Sequence, residues 1–104
     1  MTGTIFITRG AGLVGTALLN RLRQSDARLK LLLRTSALKA PRAARDQVIW
    51  GNLGDPSTYG ARLKGVETVI HLAATTGKAA PQEFRRINVD GTAELLRASK
   101  RAGV

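Results

Sequence analysis

Residues 10–15 have the residue types and spacing that point most directly to ligand chemistry. They read G-A-G-L-V-G and lie between a short apolar run and a stretch of helical periodicity. A backbone that leaves a strand, turns sharply and enters a helix can approach a pyrophosphate only where no Cβ intervenes, which favours Gly10, Gly12 and Gly15. The amides of Leu13 and Val14, at the positive end of the helix dipole, are then predicted to bind phosphate oxygens. A glycine-rich turn without a ligand is the alternative, but the order of strand, turn, helix and strand favours dinucleotide binding.

Arg34 ends the second apolar run, about 20 residues after Gly15, where an Asp or Glu would accept hydrogen bonds from a ribose 2′-hydroxyl. A guanidinium cannot accept such bonds. It suits the 2′-phosphate of NADP through charge-assisted hydrogen bonds, or it stacks on adenine. An ordinary solvated arginine at a strand end is the alternative. The residue therefore favours NADP over NAD.

Four short apolar runs predict the strands that position these residues. They are bounded by glycine or polar residues, as buried parallel strands often are. The runs are residues 5–7, 29–33, 48–50 and 69–72. Between the first two, helical spacing predicts a helix with an inner face of Val14, Ala17, Leu18 and Leu22 and an outer face of Asn20, Arg21, Arg23 and Gln24.

Two further helices are marked by their ends. Asp55 followed by Pro56 predicts an N-cap and first helical residue, and Gly65 predicts the end of that short helix. The last helix is predicted to begin at Pro81 and to end near Gly103. Its apolar stripe is Phe84, Ile87, Gly91, Leu95, Ala98 and Ala102.

Alternating strands and helices predict an α/β fold. With right-handed crossovers, the expected structure is a partial doubly wound (Rossmann) parallel sheet of strand order 3-2-1-4 with helices on both faces. Residues 35–46 contain Pro41 and are predicted to form a loop or a poor crossover helix. We expect residues 1–104 to be the N-terminal part of one dinucleotide-binding domain.

Composition restricts the class of protein. The 104 residues include no cysteine, so neither a disulfide scaffold nor a thiolate metal site is expected, and no apolar run predicts a membrane span or signal peptide. We therefore expect a soluble, cytoplasmic protein. The formal net charge of +10 predicts an anionic ligand. Nucleic acid is a weaker candidate, because the basic residues are scattered and are not interleaved with aromatic ones.

Four blocks of sequence resemble the extended and atypical short-chain dehydrogenases, which include the NAD-dependent epimerase/dehydratases. The blocks are residues 7–15, reading I-T-R-G-A-G-L-V-G; 51–56, reading G-N-L-G-D-P; 66–74, reading V-E-T-V-I-H-L-A-A; and 88–92, reading N-V-D-G-T. The resemblance covers nearly the whole chain, and the last two blocks are more specific than the glycines.

The resemblance implies a role for each segment. Leu13 and Val14 would contact the pyrophosphate, and Asn88 on the last helix would approach the cofactor from beneath. The remaining contacts would be Arg34, Thr35 and Ser36 on the adenosine ribose side, Asn52 and Leu53 at the adenine, and Leu72, Ala73, Ala74, Thr75 and Thr76 on the nicotinamide ribose side.

Two positions depart from the family pattern. Arg9 replaces the first glycine of the motif, and its side chain could crowd the phosphates or add a positive contact. Asn52 replaces the usual aspartate before Leu53, and retains a carbonyl acceptor for an adenine hydrogen bond.

Catalysis in the resembled family uses a Tyr-x-x-x-Lys pair that these 104 residues do not contain. In a complete relative the Tyr would be the acid/base of hydride transfer and the Lys would lower its pKa. Tyr59 and Lys64 are five residues apart, about 140° around a helix, and do not replace the pair. We therefore expect this chain alone to be inactive.

Other residues offer weaker catalytic candidates. His71 has no carboxylate or serine partner in view and is expected to be structural, and no metal cluster is expected. Asp90, Glu94 and Arg97 are expected on a solvated helix face. The main alternative function is a non-enzymatic interaction or oligomerisation module with a degenerate dinucleotide site, because the predicted strand at residues 69–72 leaves an open sheet edge.

Overall fold

A parallel sheet forms the centre of the computed structural model, which describes residues 3–9, 13–34, 45–73 and 80–104. Its strands are β1 (Thr4–Thr8), β2 (Arg28–Leu33), β3 (Gln47–Trp50) and β4 (Thr68–His71). The sheet order is β3-β2-β1-β4, and every neighbouring pair is parallel. The predicted fold class and the order 3-2-1-4 are thereby confirmed.

Helix α1 (Leu13–Leu22) covers one face of the sheet. The apolar cluster beneath it comprises Ile5, Ile7, Leu19, Ala27, Leu29, Leu31 and Leu33. The predicted inner face of α1 was wrong in part: Val14 and Ala17 are exposed and the buried residues are Gly15 and Leu19, whereas Leu22 packs against the cluster as predicted. Nearly every side of this helix carries an apolar residue, so periodicity alone did not select the face that meets the sheet.

The opposite face is covered by the segment after β3 and by the C-terminal helix. The cluster there comprises Phe6, Leu32, Ile49, Tyr59, Leu63, Val66, Leu95 and Ala98. Helices thus lie on both faces of the sheet, as predicted.

The predicted helix after Asp55 is two short 3₁₀ turns, Pro56–Thr58 and Gly60–Leu63. The predicted N-cap is confirmed, since the Asp55 carboxylate accepts the backbone N–H of Ser57 at 3.2 Å. Tyr59, at φ −138°, interrupts the helical backbone between the two turns, and so no longer helix forms. Gly65, at φ +80°, follows them as predicted.

The C-terminal helix has three parts: α2 (Pro81–Phe84), a π-helical segment (Arg85–Gly91) and α3 (Thr92–Ala102). Gly103 ends it in the left-handed conformation at φ +81°, as its glycine predicts. Leu95 and Ala98 are buried, in agreement with the predicted stripe. The π-helical turn was not predicted. None of the described helices is long and apolar enough to cross a membrane.

An ion pair links the end of α1 to the start of β3. The Arg23 guanidinium lies 2.6 Å from the Asp46 carboxylate, which is fully buried. Arg45 also donates a hydrogen bond to the backbone carbonyl of Arg23. Arg23 was predicted to face solvent, and that prediction was wrong because its partner lies more than 20 residues away in the sequence.

Candidate functional site

The predicted ligand contacts follow the carboxyl ends of the strands. Arg34 follows β2, Asn52 and Leu53 follow β3, and Leu72 and Ala73 follow β4. Because all four strands are parallel, these ends meet at one edge of the sheet. This edge is called the dinucleotide edge below, after the ligand predicted for it.

Helix α1 begins at the same edge. The side chains of Leu13 and Val14 are 91% and 67% exposed, so the first turn of this helix is open to a ligand. Gly15 is buried. The predicted contacts at Gly10 and Gly12 lie outside the described residues.

Arg9 follows β1 at φ +57° and is the one non-glycine residue with positive φ in the described part of the chain. This left-handed conformation favours glycine, the residue that the family pattern has here. The Arg9 side chain is exposed, so it extends from a backbone turn that directly precedes the predicted phosphate-binding segment.

Arg34 is exposed directly beyond the last residue of β2. It therefore lies at the end of the second strand, where the sequence placed it, and its contact with the adenosine ribose stays a prediction. Trp50, the last residue of the neighbouring β3, is 38% exposed although it was predicted in a buried strand. The predicted contacts at Thr35 and Ser36 lie outside the described residues.

Asn52 begins a tight turn. Its side-chain Oδ1 accepts the backbone N–H of Gly54 at 2.9 Å, and the Thr58 hydroxyl lies 3.0 Å from the Asn52 backbone nitrogen. One of the two lone pairs of the expected carbonyl acceptor is thus engaged within the turn. The side-chain amide and the second lone pair of Oδ1 are the groups of Asn52 that suit a base.

Leu53 is fixed from two sides. Its backbone carbonyl accepts the hydroxyl of Tyr59 at 2.8 Å, and its side chain packs at Gly91, where a Cβ would lie 2.8 Å from Leu53 Cδ2. Burial, reinforced by the negative charge of Glu94, raises the pKa of Tyr59 to about 12. Tyr59 therefore remains a hydrogen-bond donor over the whole neutral pH range.

Leu72 and Ala73 are anchored to β1 through one hydroxyl. Their backbone N–H groups donate to Oγ1 of Thr8 at 2.9 and 3.0 Å. Thr8 is buried, so this connection is shielded from water. The predicted contacts at Ala74, Thr75 and Thr76 lie outside the described residues.

His71 joins this anchor to the C-terminal helix. Its Nδ1 lies 2.8 Å from Thr8 Oγ1, and its Nε2 lies 2.9 Å from Thr92 Oγ1. The Thr92 hydroxyl donates to the backbone carbonyl of Asn88 at 2.8 Å. Burial lowers the pKa of His71, which favours the neutral imidazole.

Asn88 is half-buried in the π-helical segment. The path through Thr92 and His71 connects it to the dinucleotide edge. Sequence reasoning missed this path because Thr8 and His71 are 63 residues apart and nothing in the threonine pattern marks them as partners. Among the residues that the structure describes, no group of His, Asp and Glu side chains could hold a metal ion.

Known proteins match this chain along nearly its whole length. A 3 beta-hydroxysteroid dehydrogenase/Delta 5-->4-isomerase of Mycobacterium tuberculosis (strain ATCC 25618 / H37Rv) is 32% identical over 110 residues, covering 98% of this chain and 30% of that protein. Ceramide reductase of Caulobacter vibrioides (strain NA1000 / CB15N) is 30% identical, covering 97% of this chain and 32% of that protein. The chain thus spans about a third of the length of these relatives.

Solved structures agree on the fold. The Bordetella bronchiseptica enzyme WbmG in complex with NAD aligns over 100% of this chain and 36% of its own, with a TM-score of 0.85 and 24% identity. The structure of gox2253 aligns over 97% of this chain and 32% of its own, with a TM-score of 0.83 and 34% identity. The family model described as "NAD dependent epimerase/dehydratase family" matches residues 5–104. The chain therefore belongs to the NAD dependent epimerase/dehydratase family, as its resemblance to the extended short-chain dehydrogenases implied.

Proposed function

We propose that this chain forms the dinucleotide-binding part of an NAD(P)-dependent oxidoreductase or epimerase. The observation that carries the proposal is the convergence of the described contact segments on one edge of a parallel sheet. Membership of an NAD dependent family supports it, as do relatives named as a dehydrogenase and a reductase. In this proposal the amides of Leu13 and Val14 bind the pyrophosphate, and Leu72 and Ala73 lie along the nicotinamide ribose.

We infer that these 104 residues do not carry out turnover by themselves. Tyr59, the single tyrosine of the chain, is 1% exposed and its hydroxyl is hydrogen-bonded to a backbone carbonyl. It is therefore unavailable as an acid/base for hydride transfer. The nicotinamide of NAD(P) would exchange a hydride with the substrate carbon that carries a hydroxyl or carbonyl group. This chain would bind and orient the cofactor.

We propose that the preferred dinucleotide is NADP. Arg34 is the supporting residue, because an exposed guanidinium after β2 fits a 2′-phosphate and cannot accept hydrogen bonds from a 2′-hydroxyl. The net charge of +10 also favours the more anionic ligand.

The preference is tested by replacing Arg34 with Asp and measuring NADPH and NADH binding through Trp50 fluorescence. Loss of a charge-assisted contact is expected to weaken NADPH binding about tenfold or more, while NADH affinity is retained or rises, because an aspartate there can accept hydrogen bonds from the 2′-hydroxyl. Arg28→Asp is the matched control, since Arg28 is an exposed arginine at the opposite end of the same strand. Equal losses for both dinucleotides in Arg34→Asp would contradict the NADP preference. Gly12→Val, which adds a branched side chain to the phosphate turn, is expected to abolish binding of both.

A second proposal is self-association through the sheet edge at β4. All four residues of this strand are half-buried, and β4 lies at the end of the sheet order among the described residues. Its outer backbone groups have no strand partner there, and we propose that they pair with a second copy. Val89 and Leu96 add exposed apolar surface on the C-terminal helix. Sedimentation velocity at micromolar concentration is expected to show dimers or larger species. A stable monomer would contradict this proposal and leave dinucleotide binding unaffected.

A further inference from the structure

His71 lies in the middle of a hydrogen-bond path that joins the carboxyl ends of β1 and β4 to the C-terminal helix. At one end, Thr8 Oγ1 is contacted by two backbone N–H groups, those of Leu72 and Ala73. At the other end, Thr92 donates to the carbonyl of Asn88. One imidazole therefore connects the nicotinamide side of the proposed site to the segment that carries Asn88.

Counting donors fixes the direction of each bond. A threonine hydroxyl has one proton and two acceptor lone pairs, and both lone pairs of Thr8 Oγ1 are used by the amides. Its proton must therefore point to Nδ1 of His71, 2.8 Å away. The neutral imidazole then carries its own proton on Nε2 and donates it to Thr92 Oγ1 at 2.9 Å.

Protonation of His71 is incompatible with this arrangement. A proton on Nδ1 would face the Thr8 hydroxyl, whose lone pairs are already occupied, so at least one of the two amides would have to be released. Leu72 and Ala73 are the residues that would move, and both belong to the proposed dinucleotide contact.

Charged side chains on the elements packed against His71 do not stabilise its protonated form. On the β1 side, Arg9 follows Thr8 and is exposed. On the C-terminal helix, Asp90 is exposed and Glu94 is ion-paired with Arg97 at 2.8 Å. Burial is the cause that lowers the pKa of His71.

We propose that His71 is a positioning residue. Its neutral imidazole keeps the Leu72 and Ala73 amides bonded to Thr8, which holds these two residues in place for the dinucleotide, and its protonation weakens dinucleotide binding. This inference rests on the proposed function. It adds a pH dependence that dinucleotide binding by itself does not require.

The hydrogen-bond path is tested directly by NMR, because the chain has one histidine and hence one set of imidazole signals. Long-range ¹H–¹⁵N spectra at pH 8 are expected to show the Nε2–H tautomer. As the pH is lowered, the amide signals of Leu72 and Ala73 are expected to titrate together with the imidazole. An Nδ1–H tautomer, or amides that do not follow the imidazole, would overturn the inference.

The effect on binding is tested with NAD⁺, which lacks the 2′-phosphate that would itself titrate near pH 6. Affinity for the full chain is expected to fall about threefold or more between pH 8 and pH 5, since release of the amides is linked to proton uptake. His71→Asn retains an acceptor near the position of Nδ1 but does not titrate, and is expected to bind with little pH dependence. Thr4→Val, at the opposite end of β1, is the matched control and should retain the wild-type profile.

The outcomes separate the two proposals. The role of His71 is overturned if NAD⁺ binds at pH 8 with an affinity that does not change down to pH 5. It is also overturned if His71→Asn shows the same pH profile as the wild type. Either result leaves the proposed function intact. Absence of NAD⁺ and NADPH binding at pH 8 overturns the proposed function and the binding role of His71 together. In that case the imidazole spectrum still decides whether neutral His71 orders the two amides.

Discussion

Arg9 combines a left-handed backbone with a full side chain, at the residue that follows β1 and precedes the predicted phosphate-binding segment. For a residue with a Cβ this conformation costs about 1–2 kcal/mol relative to an ordinary backbone. The surrounding structure sustains φ at +57° despite that cost. Such strain is often found beside binding sites, where the turn geometry is needed by the ligand.

Replacing Arg9 with glycine is expected to raise the free energy of unfolding by up to about 1 kcal/mol. Relief of the left-handed strain exceeds the unfolded-state entropy that glycine adds. Arg9→Ala removes the same side-chain contacts but retains the Cβ, so it should give no such gain. Urea denaturation of the two variants makes the comparison. An equal gain from Arg9→Ala would show that side-chain contacts, and not the backbone, determine the effect.

The sequence alone identified several residues of the candidate site and missed their connections. Arg34, Asn52 and Leu72 could be placed because each lies at or just after the end of an apolar run, and parallel strands bring such ends together. The environments of His71 and Tyr59 could not be predicted, because hydrogen-bond partners on separate elements leave no local pattern. The interaction of Asn52 Oδ1 with Gly54 was likewise hidden, since asparagine can bind either its own turn or a ligand.

The π-helical segment and the turn after β3 pack together at Gly91. This glycine has ordinary helical dihedrals, with φ −62°, so conformational freedom is not the reason for its presence. Space is the reason, because Leu53 Cδ2 lies where a side chain would begin. The contact couples the proposed adenine segment to the helix that carries Asn88.

Gly91→Ala is expected to lower the free energy of unfolding by about 0–2 kcal/mol, whereas alanine in a helix usually raises it. Overpacking against Leu53 outweighs the gain in helix propensity. It should also weaken NADPH binding several-fold by displacing Leu53. Gly60→Ala is the matched control, because its Cβ would meet no atom within 4 Å. Thermal unfolding and NADPH titration are the measurements, and a stabilised Gly91→Ala protein with unchanged affinity would contradict the coupling.

Elements differed in how well the sequence predicted them. The strands were located within a residue or two, since strands buried on both faces are apolar throughout. The two 3₁₀ turns were predicted as one helix, because the capping signals at Asp55 and Pro56 mark a start but do not fix the length. The inner face of α1 was not predictable from a helix with apolar residues on most of its sides.

At the scale of the whole molecule, topology was the most predictable property. Right-handed crossovers between parallel strands leave few possible orders, and the observed order β3-β2-β1-β4 is the one they favour. Such rules do not predict the ion pair of Arg23 with Asp46, because it depends on the path that the chain takes just before β3.

Net charge bears on the proposed self-association. At +10, two copies of the chain repel each other, and salt screens that repulsion over about 10 Å at 0.1 M. The dimer expected from sedimentation should therefore strengthen as salt is added, whereas dinucleotide binding should weaken. Opposite salt responses would separate the two processes within one protein sample.

The π-helical turn at Arg85–Gly91 has a geometric consequence for the helix around it. α3 is anchored in the core by Leu95 and Ala98, while α2 lies beyond the wider turn. A π-helical turn closes backbone hydrogen bonds between residues five apart instead of four, so it holds one more residue than an α-helical turn. Deleting one residue there is expected to let the segment close as an ordinary α-helical turn, which removes the wide turn with little change in the angular phase between α2 and α3.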